Sequence, residues 1–171
     1  VLYEYGIPGI DFQRYYKSNF GFRSPNEYRL NSAAVCSTHD SSYWVNWWQF
    51  EAGTIDEKLF DMSCEKASIH PGHVKYCKKI LFDKKRSKHG RLFWNEEITS
   101  PQLVAEILGV SQDAIHSILY AYAESYREKE KFLNYLGYNG EINGISAELV
   151  KKCLEAVNFS NSIFSIQLLQ D

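Results

Sequence analysis

Residues 33–48 read Ala-Ala-Val-Cys-Ser-Thr-His-Asp-Ser-Ser-Tyr-Trp-Val-Asn-Trp-Trp, and the interpretation of the chain depends on this stretch. Its apolar start, residues 33–36, is typical of a buried strand. A polar triplet at 38–40 ends the strand, and tryptophans then recur at i, i+3 and i+4, which is the spacing of one helix face. Strand, polar tip and helix in this order are typical of an α/β enzyme, where side chains at the carboxyl ends of strands carry the chemistry.

Asp40 and His39 are therefore the first candidate site residues, with Thr38 beside them. Asp40 also has a purely structural alternative role, because an aspartate at this point suits the N-cap of the helix that follows. The neighbouring tryptophans likewise allow two interpretations, a packed core or a surface on which sugar rings stack. Helix-spaced aromatic residues more often pack in a core, so the tryptophans are predicted to be buried.

Composition indicates an ordinary globular protein. The 171 residues suffice for one domain with a proper core, and 44% of them are apolar and 23% charged. A formal net charge of −2 excludes a general attraction to nucleic acid or to anionic membranes. No apolar run approaches the roughly 18 residues that span a bilayer. We therefore expect neither a nucleic acid nor a membrane as partner.

The chain termini and cysteines suggest its setting. The first residues show no signal peptide, and the absence of an initiator methionine leads us to expect a segment of a longer protein. The four cysteines, at 36, 64, 77 and 153, form no Cys-x-x-Cys pair. They are predicted to be reduced, buried thiols, which favours a cytoplasmic location.

Turn and cap signals predict three strands near the ends of the chain and a largely helical middle. The strands are predicted over 9–16, 32–37 and 162–169, and Gln13 and Arg14 should point to opposite faces of the first. Helices are predicted over 41–50, 54–67, 73–82, 101–108, from 111 onward and over 147–157. Residues 128–136 either continue the helix from 111 or form a separate one. Their predicted caps are Thr54 with Glu57 at the capping-box position, Ser100 followed by Pro101, Ser111, and Ser146.

Three weaker motifs have a functional and a structural interpretation, and we prefer the structural one for each. The segment 103–125 is similar to a DNA-binding helix-turn-helix, but no Lys or Arg precedes Arg127 in the would-be recognition helix. The basic run 84–91 is typical of a solvated loop. His70 and His73 have a zinc-like spacing, but the Pro-Gly pair between them does not suit helical ligand geometry. We therefore expect no metal and no cofactor.

Several motifs in the right order resemble one family, the 4-α-glucanotransferases of glycoside hydrolase family 77. They are Gly-Ile-Pro-Gly at 6–9, Thr-His-Asp at 38–40, Trp-Trp at 47–48 and Gln-Asp at 170–171. The resemblance implies a (β/α)₈ barrel that cuts α-1,4 bonds and passes the glucan to another sugar with retention. By this resemblance Asp40 matches a third carboxylate that stabilises the transition state, while His39 and Thr38 bind substrate.

The departure from the family pattern is equally informative. The family's nucleophile lies in an Arg-x-Asp-His stretch and its acid/base in a Glu-(Asp/Asn)-Leu-Gly stretch, and neither occurs in this sequence. We therefore expect the latter part of a barrel with a large helical insertion, inactive alone. The expected parts are barrel strands and a helix at 1–52, a mainly helical part at 53–158, and the last barrel strand at 159–171.

The expected partners are the remainder of the barrel and an α-1,4-glucan or malto-oligosaccharide, in the metabolism of starch, glycogen or maltose. Two other functions stay open at this point. The chain could be a non-catalytic carbohydrate-binding or helical interaction domain, or, less in keeping with its charges, a helix-turn-helix DNA-binding protein.

Overall fold

A computed structural model describes residues 3–18 and 20–167 and has a mixed α/β fold. The strands in these residues are β1 (Gly9–Phe12), β2 (Ser32–Val35), β3 (Thr54–Asp56), β4 (Arg91–Phe93) and β5 (Phe164–Ile166). The helices are α1 (Trp44–Asn46), α2 (Glu57–Lys66), α3 (Pro71–Leu81), α4 (Pro101–Leu108), α5 (His116–Ser125), α6 (Glu128–Leu136) and α7 (Ala147–Asn158). A π-helical segment, Trp47–Glu51, continues α1. Within the described residues, no helix combines the length and apolar character that crossing a membrane requires.

The chain forms two compact units. The first contains the described residues up to Gln49 and those from Glu128 onward, and the second is Phe50–Arg127. The helical middle of the sequence is therefore divided, since α2–α5 belong to the second unit and α6 and α7 to the first.

A parallel sheet is the framework of the first unit. Its strand order is β1-β2-β5, so β2 pairs with β1, which precedes it in the chain, and with β5, which follows only after β3, β4 and the helices α1–α7. β2 is in the centre and is buried along its whole length, which suits its small residues, apolar from Ala33 onward. Beyond β1, the Gln13 amide donates to the carbonyl of Cys153 on α7 at 3.0 Å and so ties this helix to the sheet.

Aromatic packing holds the second unit together. Phe82 and Trp94 lie 4.6 Å apart between ring centroids, and Tyr122 of α5 packs edge-on against Trp94 at 5.0 Å. The polar groups of Trp94 and Tyr122 are both hydrogen-bonded. The Trp94 indole donates to Ser125 Oγ and the Tyr122 hydroxyl donates to the carbonyl of Ile98, each at 2.8 Å. The antiparallel pair β3 and β4 completes this unit.

Several predicted elements are confirmed where the signal is local. Ser100 and Ser146 cap α4 and α7 by accepting the N–H groups of Leu103 and Leu149. Gly109 ends α4 with a φ of 70°, a left-handed conformation that favours glycine.

Other predictions were wrong. Thr54 does not cap α2, because it lies in β3 and its hydroxyl donates to the carbonyl of Glu51, while Asp56 is the cap. Ser111 caps no helix, since the next turn is a 3₁₀ helix over Asp113–Ile115 that begins after Gln112. The first and last strands are also shorter than predicted, and positions 168–171, including the Gln-Asp pair, lie outside the described residues.

Candidate functional site

A four-residue turn follows β2 and carries the predicted site residues. Its ends are Thr38 and Ser41, which exchange three hydrogen bonds. The Ser41 N–H and hydroxyl each donate to the Thr38 carbonyl at 3.1 Å, and the Thr38 N–H donates to Ser41 Oγ at 2.9 Å. This turn fixes the backbone of the two residues between its ends, His39 and Asp40.

His39 and Asp40 project into solvent from that turn. Their side chains are 87% and 82% exposed, and Nε2 of His39 lies 3.2 Å from Oδ2 of Asp40. The alternative role of Asp40 as a helix cap is wrong, because α1 begins after Tyr43 and no side chain caps it. The structure thus brings Thr38, His39 and Asp40 together on one turn at the carboxyl end of β2, with the carboxylate accessible to a ligand.

The tryptophans that follow belong to the core, as predicted. Trp44, Trp47 and Trp48 are buried, and the rings of Trp44 and Trp48 stack with their centroids 5.5 Å apart. The Trp48 indole donates to the carbonyl of Gly144 at 3.1 Å. These rings are buried in the core and offer no face on which a sugar could stack.

Two exposed tyrosines provide such faces, and neither was predicted from the sequence to lie at the site. Tyr15 is 56% and Tyr43 43% exposed, and each follows the carboxyl end of a parallel strand. The Tyr15 ring stacks on Phe12 at 4.2 Å between centroids, with the planes only 10° apart. The only available signal for Tyr15 was the Tyr15-Tyr16 pair, which the sequence pattern placed inside the first predicted strand.

A family model described as 4-alpha-glucanotransferase, glycoside hydrolase family 77, matches residues 1–171. The chain belongs to this family. Comparison with curated proteins gave no significant match, and comparison with solved structures gave none either. The match confirms the resemblance carried by the motifs at both ends of the sequence.

A second carboxylate of the parallel sheet in this glucanotransferase-family chain, that of Asp11, has a structural role. Asp11 of β1 is fully buried and accepts hydrogen bonds from the Arg29 side chain at 2.9 and 3.1 Å and from Ser32 Oγ at 2.8 Å. Burial raises the pKa of Asp11, but the hydrogen bonds from Arg29 and Ser32 outweigh it, so the pKa lies below its usual range. Asp11 therefore anchors the loop that leads into β2, and Asp40 is the accessible carboxylate.

The remaining sequence motifs have structural roles in this family member. Nδ1 of His70 accepts the N–H of Gly72 and caps α3, while Nε2 of His73 lies 3.4 Å from the Cys77 sulfur. In the part of the chain that the structure describes, no group of three or more His, Cys, Asp or Glu side chains is placed to hold a metal ion. In the basic loop, Arg86 packs over the Phe93 ring at 3.5 Å and pairs with Glu96 at 3.2 Å.

Proposed function

We propose that this chain supplies the Asp40 carboxylate to the active site of a 4-α-glucanotransferase that moves α-1,4-glucan units between glucans with retention. The observation that carries the proposal is the exposed Asp40 carboxylate, on a hydrogen-bonded turn at the carboxyl end of a parallel strand. The family membership supplies the reaction class.

Retention requires two carboxyl groups about 5–5.5 Å apart, one as nucleophile and one as acid/base. The family's stretches for both residues are absent from this sequence, so these groups must come from elsewhere in the complete enzyme. Asp40 then acts as the third carboxylate. It accepts hydrogen bonds from the hydroxyls of the bound sugar and stabilises the positive charge that develops on the sugar ring. His39 donates a hydrogen bond to a hydroxyl of the same sugar, and Thr38 lines the turn.

Exposed apolar side chains on the two outer strands of the sheet support a barrel in the complete protein. The strand register places Ile10, Ala33 and Phe164 in one row, and Ile166 lies on the same face beside Val35. Ile10, Phe164 and Ile166 are each more than half exposed. Apolar side chains on a parallel sheet are normally covered on both faces. We infer that the remainder of a (β/α)₈ barrel packs against this face, and that the isolated chain has no transferase activity.

The test is Asp40→Asn in the complete enzyme, assayed by disproportionation of maltotriose. Removing one preorganised electrostatic contact typically costs about 10²–10³-fold in kcat, and we expect a loss of that size with unchanged folding. The matched control is Asp113→Asn, which changes an exposed aspartate in the other unit and should leave kcat intact. An Asp40→Asn enzyme that keeps more than a tenth of the transfer rate would remove Asp40 from the mechanism.

A non-catalytic glucan-binding role is the second candidate, because the exposed Tyr15 and Tyr43 rings suit stacking against pyranose rings. Binding of maltoheptaose to the isolated chain discriminates the two. Binding that disappears in Tyr15→Ala, combined with full transfer activity of the Asp40→Asn enzyme, would favour the second candidate. The cytoplasmic location stays a prediction.

A further inference from the structure

We infer that Arg14 is a positioning residue that holds the Asp40 turn in register with the end of β1. This inference rests on the proposed function, because it assigns a support to the carboxylate proposed there. Arg14 lies two residues beyond β1 and is almost completely buried, with 2% of its surface exposed. A buried guanidinium is costly unless its surroundings satisfy it, so its position follows from specific contacts.

The first contact links Arg14 to the chain immediately after the turn. Its Nη2 donates a hydrogen bond to the carbonyl of Ser42, two residues beyond Asp40. The turn itself is closed between Thr38 and Ser41, so the segment around Asp40 is held at both of its ends. One end is fixed by the central strand β2 and the other by the bond from Arg14 to Ser42.

Aromatic packing fixes the guanidinium itself. Its central carbon lies 5.4 Å from the ring centroid of Trp47, 5.8 Å from that of Phe12 and 5.9 Å from that of Tyr15. A planar guanidinium packs against ring faces and still donates hydrogen bonds in its own plane, which a lysine ammonium cannot do equally well. Arg14 therefore joins three elements: the end of β1, the tryptophan-rich helix and the turn that carries Asp40.

Such a link matters because transition-state contacts depend on distances of less than an ångström. Displacing a catalytic group by about 1 Å can cost about 10²-fold in rate. The Asp40 side chain projects into solvent, so its position depends on the backbone that Arg14 restrains. Arg14 also packs against the Tyr15 ring, and hence sets the spacing between an exposed aromatic face and the carboxylate.

The experiment compares Arg14→Met and Arg14→Lys with Arg23→Met in the complete enzyme. Arg23 is a matched control. Its guanidinium packs over two aromatic rings, those of Tyr16 and Tyr28, donates to the carbonyl of Glu27 and lies 3.6 Å from the Asp11 carboxylate. None of these contacts involves residues 38–47, and Asp11 keeps its hydrogen bonds from Arg29 when Arg23 is replaced. We expect Arg14→Met to lower kcat about 10- to 100-fold, Arg14→Lys to recover part of that loss, and Arg23→Met to leave kcat within about twofold.

Hydrogen–deuterium exchange of the same variants separates positioning from general destabilisation. Arg14→Met should accelerate exchange in peptides covering residues 37–44 and leave those covering 146–158 unchanged. Equal acceleration in both peptides, or a kcat within twofold of wild type, would overturn the inference. If Arg14→Met does not fold, the same two criteria are applied to Arg14→Lys. Full activity of Asp40→Asn would refute the proposed function, whereas an inactive Asp40→Asn beside a fully active Arg14→Met would refute this inference alone.

Discussion

Replacing Arg29 by methionine should destabilise the protein strongly, because it leaves the Asp11 carboxylate buried without its main partner. Asp11 is fully buried, whereas the Arg29 side chain is 43% exposed. Removing one partner of a buried pair typically costs about 3–5 kcal/mol. Ser32 Oγ and the Arg29 backbone N–H, both at 2.8 Å, and Arg23 at 3.6 Å would remain beside Asp11. We therefore expect the lower end of that range, about 3 kcal/mol.

For a chain of this length each kcal/mol shifts the melting temperature by about 2–4 °C, so Arg29→Met should melt about 6–12 °C below wild type. Thermal and urea unfolding followed by circular dichroism would measure the change. Lys151→Met is the matched control, since it removes an exposed i,i+4 pair with Glu155 and should cost less than about 1 kcal/mol. The double variant Asp11→Asn with Arg29→Met removes the unpaired charge and should be more stable than Arg29→Met alone.

The stability that Asp11 contributes should depend on pH in opposite directions in the wild type and in Arg29→Met. The folded pKa of Asp11 lies below its unfolded value of about 3.9. Its contribution to stability is therefore present above that pH, and it is lost as the pH falls through the folded pKa. In Arg29→Met the balance reverses, because burial then raises the pKa and protonation relieves the penalty. The quantity to compare is the loss of unfolding free energy in Arg29→Met relative to wild type. A loss that is equally large at pH 7 and pH 3.5, or one below about 1 kcal/mol at pH 7, would refute this reasoning.

Two further substitutions and one thiol-reactivity measurement test the packing of the chain. Ser146→Ala should lower the free energy of unfolding by about 1 kcal/mol in urea titrations, and no change would mean that the observed cap bond contributes nothing. Trp48→Phe leaves the carbonyl of Gly144 without its indole donor and should cost about 1–3 kcal/mol by the same measurement; a neutral result would contradict the role of that bond. All four thiols are buried, and burial raises the pKa of Cys64 to about 11. The thiols should therefore react with dithionitrobenzoate only in denaturant. Fast reaction of the folded chain would contradict the described core.

Predictions from the sequence succeeded where a few adjacent residues carry the whole signal. Two helix starts were predicted correctly from the sequence, at Ser100 with Pro101 and at Ser146. In each case the serine hydroxyl accepts the N–H group three residues later, so the interaction does not depend on distant parts of the chain. The apolar run at 33–36 and the polar turn after it were equally clear signals. Family membership follows from such short motifs in the right order.

Tertiary structure alone decided which side chains surround the site. In the other unit, β3 has only three residues and pairs with β4 across a long stretch of chain, so its own sequence was interpreted as a helix start. Arg14 and Tyr15 are neighbours in the chain, yet Arg14 is buried and bonded to Ser42 beside the Asp40 turn, whereas Tyr15 is exposed. Burial depends on what the rest of the chain packs around a residue. The sequence therefore determined the Thr38–Asp40 motif and the family, and packing between distant segments determined how that motif is held.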